Sequence, residues 1–172
     1  MGKIRVKILS VSVLAFMILS LCSCAKFVRI DDYRSRPFRC EIEFSVEKRD
    51  ICARIYAKGN EEIRMELLSP PSVEGLIICR GGDNEYAEYG GMILDADAFA
   101  EIFSYGAALV PEGDVINKSR VKGIGSVICL TVGKNENTGD YYEIYVNKKS
   151  GSPQEIRFGG KNILVRNFEF LE

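Results

Sequence analysis

Two thiols stand two residues apart at the end of the chain's first apolar run, in the stretch Leu21-Cys22-Ser23-Cys24. Thioether formation with a diacylglyceryl donor needs a soft nucleophile. The bacterial lipidation pattern asks for a cysteine with a small residue directly before it and an aliphatic residue three before. Cys24 meets both conditions, through Ser23 and Leu21. Cys22 is preceded by bulky Leu21 and falls inside the discarded peptide. The pattern predicts signal cleavage between Ser23 and Cys24 and attachment of lipid to Cys24. One acyl chain anchors only marginally, at about 0.8 kcal/mol per buried CH₂, so stable attachment takes a second signal. A diacylglyceryl-cysteine brings two chains at once.

The elements that would present this cysteine lie just before it. Lys3, Arg5 and Lys7 form a basic start, and no acidic residue occurs before Asp31. From Ile8 to Leu21 the chain is apolar apart from Ser10, Ser12 and Ser20. That length suits a secretory h-region of about 7–15 residues and falls short of the roughly 20 a spanning helix needs. Residues 1–23 are therefore expected to be a signal peptide that is removed. Residues 24–37 would be a lipidated N-terminus and polar tether, and 38–172 one β-rich domain. The location implied is extracytoplasmic, on the outer face of a bacterial cell membrane, or on an outer membrane if the host has one. An uncleaved signal anchor is the alternative for the same segment.

Composition removes more functions than it suggests. The 172 residues carry 23 Lys+Arg against 24 Asp+Glu. Without Lys3, Arg5 and Lys7 the remainder has 20 basic and 24 acidic residues. That balance gives no electrostatic reason to bind nucleic acid and argues against attraction to an anionic bilayer surface. The chain contains no histidine, so it can form no Ser-His-Asp or Cys-His pair, imidazole metal ligand or imidazole switch. Cys40, Cys52, Cys79 and Cys129 follow Cys24 without any Cys-x-x-Cys spacing. They read as free core thiols in preference to a disulfide framework. No cofactor or metal is expected beyond the covalent lipid on Cys24.

Beyond a polar stretch ending at Pro37, alternation takes over. Phe38, Cys40, Ile42, Phe44 and Val46 share one parity, and Arg39, Glu41, Glu43 and Ser45 the other, the mark of a half-buried strand. Further strands are predicted at 51–57, 63–68, 75–80, 85–89 and 92–94, with turns at Lys58-Gly59-Asn60 and Gly81-Gly82-Asp83-Asn84. Asp95-Ala96-Asp97 offers caps for a helix over about 97–105, with Phe99, Ile102 and Phe103 at helical spacing and Gly106 as its C-terminal glycine. Strands resume after Pro111-Glu112-Gly113-Asp114, notably at 127–132, 141–146, 154–158 and 162–170, with a bulge at Asn167.

In this order the elements resemble the small bacterial lipoproteins related to the lipoprotein-localisation factors LolA and LolB, over about Phe38 to Phe170. The resembling pieces are the opening strands Phe38–Val46 and Ile51–Ala57, Leu67-Leu68-Ser69-Pro70 and Val73-Glu74-Gly75-Leu76. Tyr89-Gly90-Gly91-Met92-Ile93-Leu94, the Phe99–Tyr105 helix, the Asn147–Ile156 turn and strand, and Ile163–Phe170 follow. The resemblance implies a mainly β (α+β) fold: a curved, incomplete antiparallel β-barrel with one short helix packed on its concave side. In the carriers of that group the concavity receives acyl chains. Two departures stand here, since the helix is short where the carriers have a larger helical lid, and no motif maps to their ligand-handling residues.

Phe38, Phe44, Phe99, Ile102 and Phe103 are the residues expected on the concave face. They could line an apolar ligand pocket or simply pack helix against sheet. Asp95 and Asp97 read as helix caps before they read as a carboxylate pair. Gly123-x-Gly125, after Lys118, Arg120 and Lys122, reads as a strand-entry bend, because no helix follows to cradle a phosphate. Tyr86, Tyr89, Tyr141, Tyr142 and Tyr145 could serve a partner interface. The expectation is a non-enzymatic, membrane-anchored protein that binds a lipid or other apolar ligand in a half-barrel. The alternative is an envelope protein-interaction module that uses exposed sheet edges or tyrosines and has no small-molecule ligand. The anchor is tested directly: Cys24→Ser should abolish acyl labelling in cells and leave an unprocessed precursor, whereas Cys22→Ser should change neither. Equal labelling of the Cys24→Ser protein would overturn the assignment.

Overall fold

A computed structural model of the chain describes residues 30–59, 61–81, 84–122, 124–134 and 141–172. The signal segment and Cys24 lie outside these residues, as do Asn60, Gly82, Asp83 and Gly123 of the expected turns.

Eleven strands among the described residues form one antiparallel sheet. The first six are β1 (Pro37–Val46), β2 (Arg49–Lys58), β3 (Glu62–Ser69), β4 (Ile77–Gly81), β5 (Asn84–Tyr89) and β6 (Met92–Leu94). A 3-10 turn at Ala96–Phe99 and the helix α1 (Ala100–Ala107) follow. The last five are β7 (Val115–Arg120), β8 (Val127–Lys134), β9 (Tyr141–Asn147), β10 (Pro153–Phe158) and β11 (Lys161–Phe170). Their order in the sheet is β6-β5-β4-β3-β2-β1-β11-β10-β9-β8-β7. The sheet is curved and unclosed, as the alternation and the resemblance lead one to expect.

Each half is a meander whose hairpins pair neighbours in sequence, and the two halves join where β1 meets β11. That seam runs from Phe38 opposite Phe170 to Phe44 opposite Ile163. Between Arg39 and Glu41 the pairing on β11 jumps from Glu169 to Arg166. The bulge expected at Asn167 absorbs the extra residue, with φ 47°. Asparagine tolerates this left-handed backbone better than most side chains, and its Nδ2 donates to Glu41 Oε2 at 2.7 Å.

Period two decides which face is which. On β1, Phe38, Cys40, Ile42 and Phe44 are buried, and they join Ile55, Met65, Leu67, Leu130, Ile144, Ile156 and Ile163 in one continuous core. The opposite face carries cross-strand rows of alternating charge. Arg166, Glu41, Arg54 and Glu66 are successive partners across four strands, with Arg54 3.4 Å from Glu41 and 3.8 Å from Glu66. Such half-exposed pairs add little energy individually. They keep like charges from standing opposite one another and fix register.

Because β6 and β7 are consecutive in sequence but form the two free edges of the sheet, the chain between them crosses the buried face. Asp95 begins this crossing as expected, its carboxylate accepting from the Asp97 backbone N–H at 3.0 Å. Phe103, Tyr105, Ala108, Leu109 and Val110 are all buried in it. Gly106 does not end the helix. It lies inside α1, where a β-carbon would stand 3.3 Å from the Met65 sulfur and 3.4 Å from Ile55 Cδ1. The glycine is there for close approach of helix to sheet.

The expected polar tether also needs correction. Ile30–Ser35 is a 3-10 turn whose Tyr33 is 1% exposed. Tyr33 packs against Phe38 and Phe168 at 6.1 Å between ring centroids, and its hydroxyl donates to the Leu109 carbonyl at 2.9 Å. Arg34 donates from Nη1 to the carbonyls of Pro111 at 2.9 Å and Gly113 at 3.0 Å. The segment that alternation could not assign is thus docked on the crossing chain.

Burial raises the Tyr33 phenol well above its ordinary value near 10. The fold therefore favours the neutral phenol, and the stabilisation is complete below that ordinary value and lost as pH rises past it. Tyr33→Phe should lower stability by about 1–2 kcal/mol at neutral pH, since the Leu109 carbonyl loses its donor. Urea midpoints measured across the range above about pH 10 should fall less steeply for Tyr33→Phe than for the parent chain.

Candidate functional site

The five side chains expected on the concave face all belong to the core or pack against it, but they do not converge on one cavity. Phe38 stacks on Phe168 at 5.0 Å near the N-terminal turn. Phe103 is buried beneath the Arg80 guanidinium, 5.7 Å from its ring centroid. Phe99 and Ile102 are half-buried and pack on the cluster. Phe44, at the far end of β1, stacks on Tyr105 at 4.1 Å and 19°. The crossing segment fills the space between these rings, so the buried face is a packed interior.

Of the five, Phe44 borders an opening among the described residues. A cleft of about 720 Å³ lies at the rim, between the β1–β2 turn and the β10–β11 turn. Phe44, Ile51, Tyr105 and Leu164 give it apolar surface, and Glu43, Asp50 and Lys161 give it charge. Tyr105 reaches this rim because α1 is pressed close to the sheet, and its hydroxyl donates to the Ser45 carbonyl at 3.3 Å. Lys161 Nζ stands 4.6 Å from the Tyr105 ring centroid and 5.7 Å from that of Phe158. Its other neighbours are Ser104 Oγ at 3.5 Å and Glu101 at 4.0 Å. The ammonium is thus held over two aromatic faces, with Glu101 as its nearest carboxylate. The alternation pattern gave no sign of this cleft, since it forms where two turns distant in sequence come together.

The tyrosines divide. Tyr142 stacks on Phe158 at 5.3 Å, Tyr145 lies under Arg157 at 4.7 Å, and Tyr86 is half-buried. Only Tyr89 and Tyr141 of the five expected ones are exposed. The larger exposed apolar side chains sit along the two free edges: Met92 (60%) and Ile93 (69%) on β6, Ile116 (58%) on β7, and Ile124 (52%) just beyond β7. Among the described residues no group of three or more His, Cys, Asp or Glu side chains is placed to hold a metal.

Cys40, Cys52, Cys79 and Cys129 are free. Burial pushes the thiols of Cys40, Cys52 and Cys129 up, with Glu41 and Glu43 adding to the effect at Cys52. A thiol held protonated is a poor nucleophile, so Cys52 at the cleft wall has no activation for chemistry. At neutral pH Cys52, the one thiol of the four that is not buried, should alkylate first, with Cys40 labelled only on unfolding. Peptide mass mapping after timed alkylation would show the order, and prior labelling of Cys40 would contradict this packing.

No protein-family model matches the chain, and no curated protein matches it. Among solved structures it is similar to an uncharacterised conserved protein of Thermus thermophilus, at 18% identity and a TM-score of 0.53, over 84% of each chain. More remote are a LolA superfamily protein of Nitrosomonas europaea, at 9% identity and a TM-score of 0.39 over 80% of this chain and 87% of that one, and MucB of Pseudomonas aeruginosa, solved in complex with MucA. MucB is 14% identical at a TM-score of 0.43, and the match covers 86% of this chain but only 57% of MucB. At these identities the likeness is one of fold alone, and the Thermus thermophilus protein carries it.

Proposed function

We propose that the chain is an extracytoplasmic bacterial lipoprotein, held to its membrane by diacylglycerol on Cys24, whose half-barrel is a non-enzymatic module for engaging an envelope protein. The observation that carries this reading is where apolar surface remains. The buried face is occupied by the chain's own crossing segment, whereas Met92 and Ile93 are exposed on β6, a three-residue edge strand. A free edge strand offers unpaired backbone donors and acceptors, and exposed apolar side chains on it offer a place to dock. Here Ile93 stands opposite Glu88 on the neighbouring strand, which gives the edge a mixed apolar and acidic character.

The second reading, binding of a lipid or other apolar ligand, is favoured by the rim cleft. Phe44, Ile51, Tyr105 and Leu164 could take a short apolar tail and Lys161 an anionic head. This shifts the expected ligand from the concave face, where Phe38, Phe99, Ile102 and Phe103 are engaged in packing, to one end of it.

The two readings separate experimentally. With a photo-crosslinker at position 93, the first predicts a defined envelope protein as adduct. Ile93→Lys should weaken that complex by about thirtyfold if Ile93 is an interface anchor. Native mass spectrometry of the mature chain purified from cells should then show no acyl species beyond the covalent lipid of Cys24. A co-purifying acyl mass lost on Phe44→Asp, with no adduct from position 93, would replace the interaction reading by ligand binding.

A further inference from the structure

We infer that the β7–β8 hairpin is the face this domain turns toward its own bilayer, where it docks on anionic phospholipid headgroups. The inference rests on the lipid anchor at Cys24 and goes beyond it by assigning an orientation and a second membrane contact.

Charge is the first ground. Lys118, Arg120 and Lys122 stand within five residues with no carboxylate between them, while the acidic neighbours Glu112, Asp114, Glu136 and Asp140 lie outside this run, in a chain whose formal net charge is −1. The basic charge is local to residues 118–122. The opposite edge is acidic, with Glu85 and Glu88 on β5 and Asp95 and Asp97 just after β6. An anionic surface would attract one edge of the sheet and repel the other.

Exposure is the second. Five of the six β7 residues are exposed, so at this edge neither face of the sheet is covered. Ile116 and Ile124 are 58% and 52% exposed among these basic residues. Apolar side chains interspersed with lysine and arginine suit an interface where methyl groups enter the headgroup boundary and cations meet phosphate.

Reach is the third. Tyr33 is locked into the core, so at about 3.5 Å per residue the covalent path from Cys24 to Ile30 sets an upper limit of roughly 20 Å. Arg34, four residues past Ile30, is bonded to the Gly113 carbonyl, and Val115 opens β7 two residues after Gly113. The hairpin therefore begins beside the point where the tether enters the domain. A contact that would be weak for a free protein is sufficient when the anchor supplies a high effective concentration. An acidic polypeptide added to the β7 edge would satisfy the charges as well, but the anchor keeps a bilayer, not a peptide, permanently within reach.

The test uses the mature chain purified from its host, its mass measured to show the lipid, reconstituted in vesicles of phosphatidylcholine alone or with about 30% phosphatidylglycerol. Backbone hydrogen exchange across residues 115–122 should slow about tenfold in the anionic vesicles relative to the neutral ones. Arg120→Gln with Lys122→Gln should remove the difference without altering exchange in β1 or β11. Equal exchange in both vesicles would overturn the docking and leave the anchor standing. A chain whose mass shows Cys24 unmodified fails the anchor reading. The docking is then decided by vesicle co-sedimentation of that unlipidated chain, which should still favour the anionic vesicles over the neutral ones. Slowing by a polyglutamate peptide but not by anionic vesicles would reassign the hairpin to an acidic polypeptide.

Discussion

The pairing of β1 with β11 is the constraint from which the rest of the molecule follows. It places the first and last strands at the centre of the sheet and pushes β6 and β7, which are consecutive, to its two edges. Their connection then has no route except across the concave face. The crossing chain must be apolar enough to be buried there and compact enough to fit. A short helix with a glycine at its closest approach satisfies both demands. Tyr33 and Arg34 fasten the far end of the crossing from outside, so the N-terminal turn, the crossing and the β1–β11 seam form one packed unit.

This arrangement bears on function more than any single residue does. A half-barrel whose concavity is open can hold a ligand; one whose concavity is filled by its own chain presents its rims and edges instead. Among the described residues, accessible features include a cleft at the rim, exposed apolar side chains on β6 and an exposed β7 edge. None of these places a nucleophile beside a base. Among the described residues the thiols are buried or held protonated, and Glu41, Glu43, Glu66 and Glu169 pair with arginines across the strands.

The strands were legible in the sequence because burial on one face imposes period two, and β1 shows that period over its whole length. The bulge at Asn167 was legible for the same reason, since one extra residue reverses parity on β11. β7 was not, because a strand exposed on both faces has no apolar period. Tyr33 was missed because a lone aromatic among charges looks solvated until the surface that receives it is known. Gly106 was misread because a glycine near a helix end resembles a terminator, and the packing it serves involves Met65 and Ile55, some forty to fifty residues away. The rim cleft is a product of pairing order, which local patterns do not encode. Cys24 lies outside the described residues, and its assignment rests on the sequence pattern alone.

The central position of the β1–β11 seam also has a consequence for how the chain reaches its fold. The first strand made is completed only by the last, so the outer rim of β1 stays an uncovered template throughout synthesis. Nearly every residue between them must be present before the two meet, a long loop to close before its contacts can stabilise it. Such a chain is slow to lock. It also leaves the nascent form vulnerable to pairing with another copy at that rim. The seam that gives the finished molecule its shape is thus the step at which an assisting factor would have the most to protect.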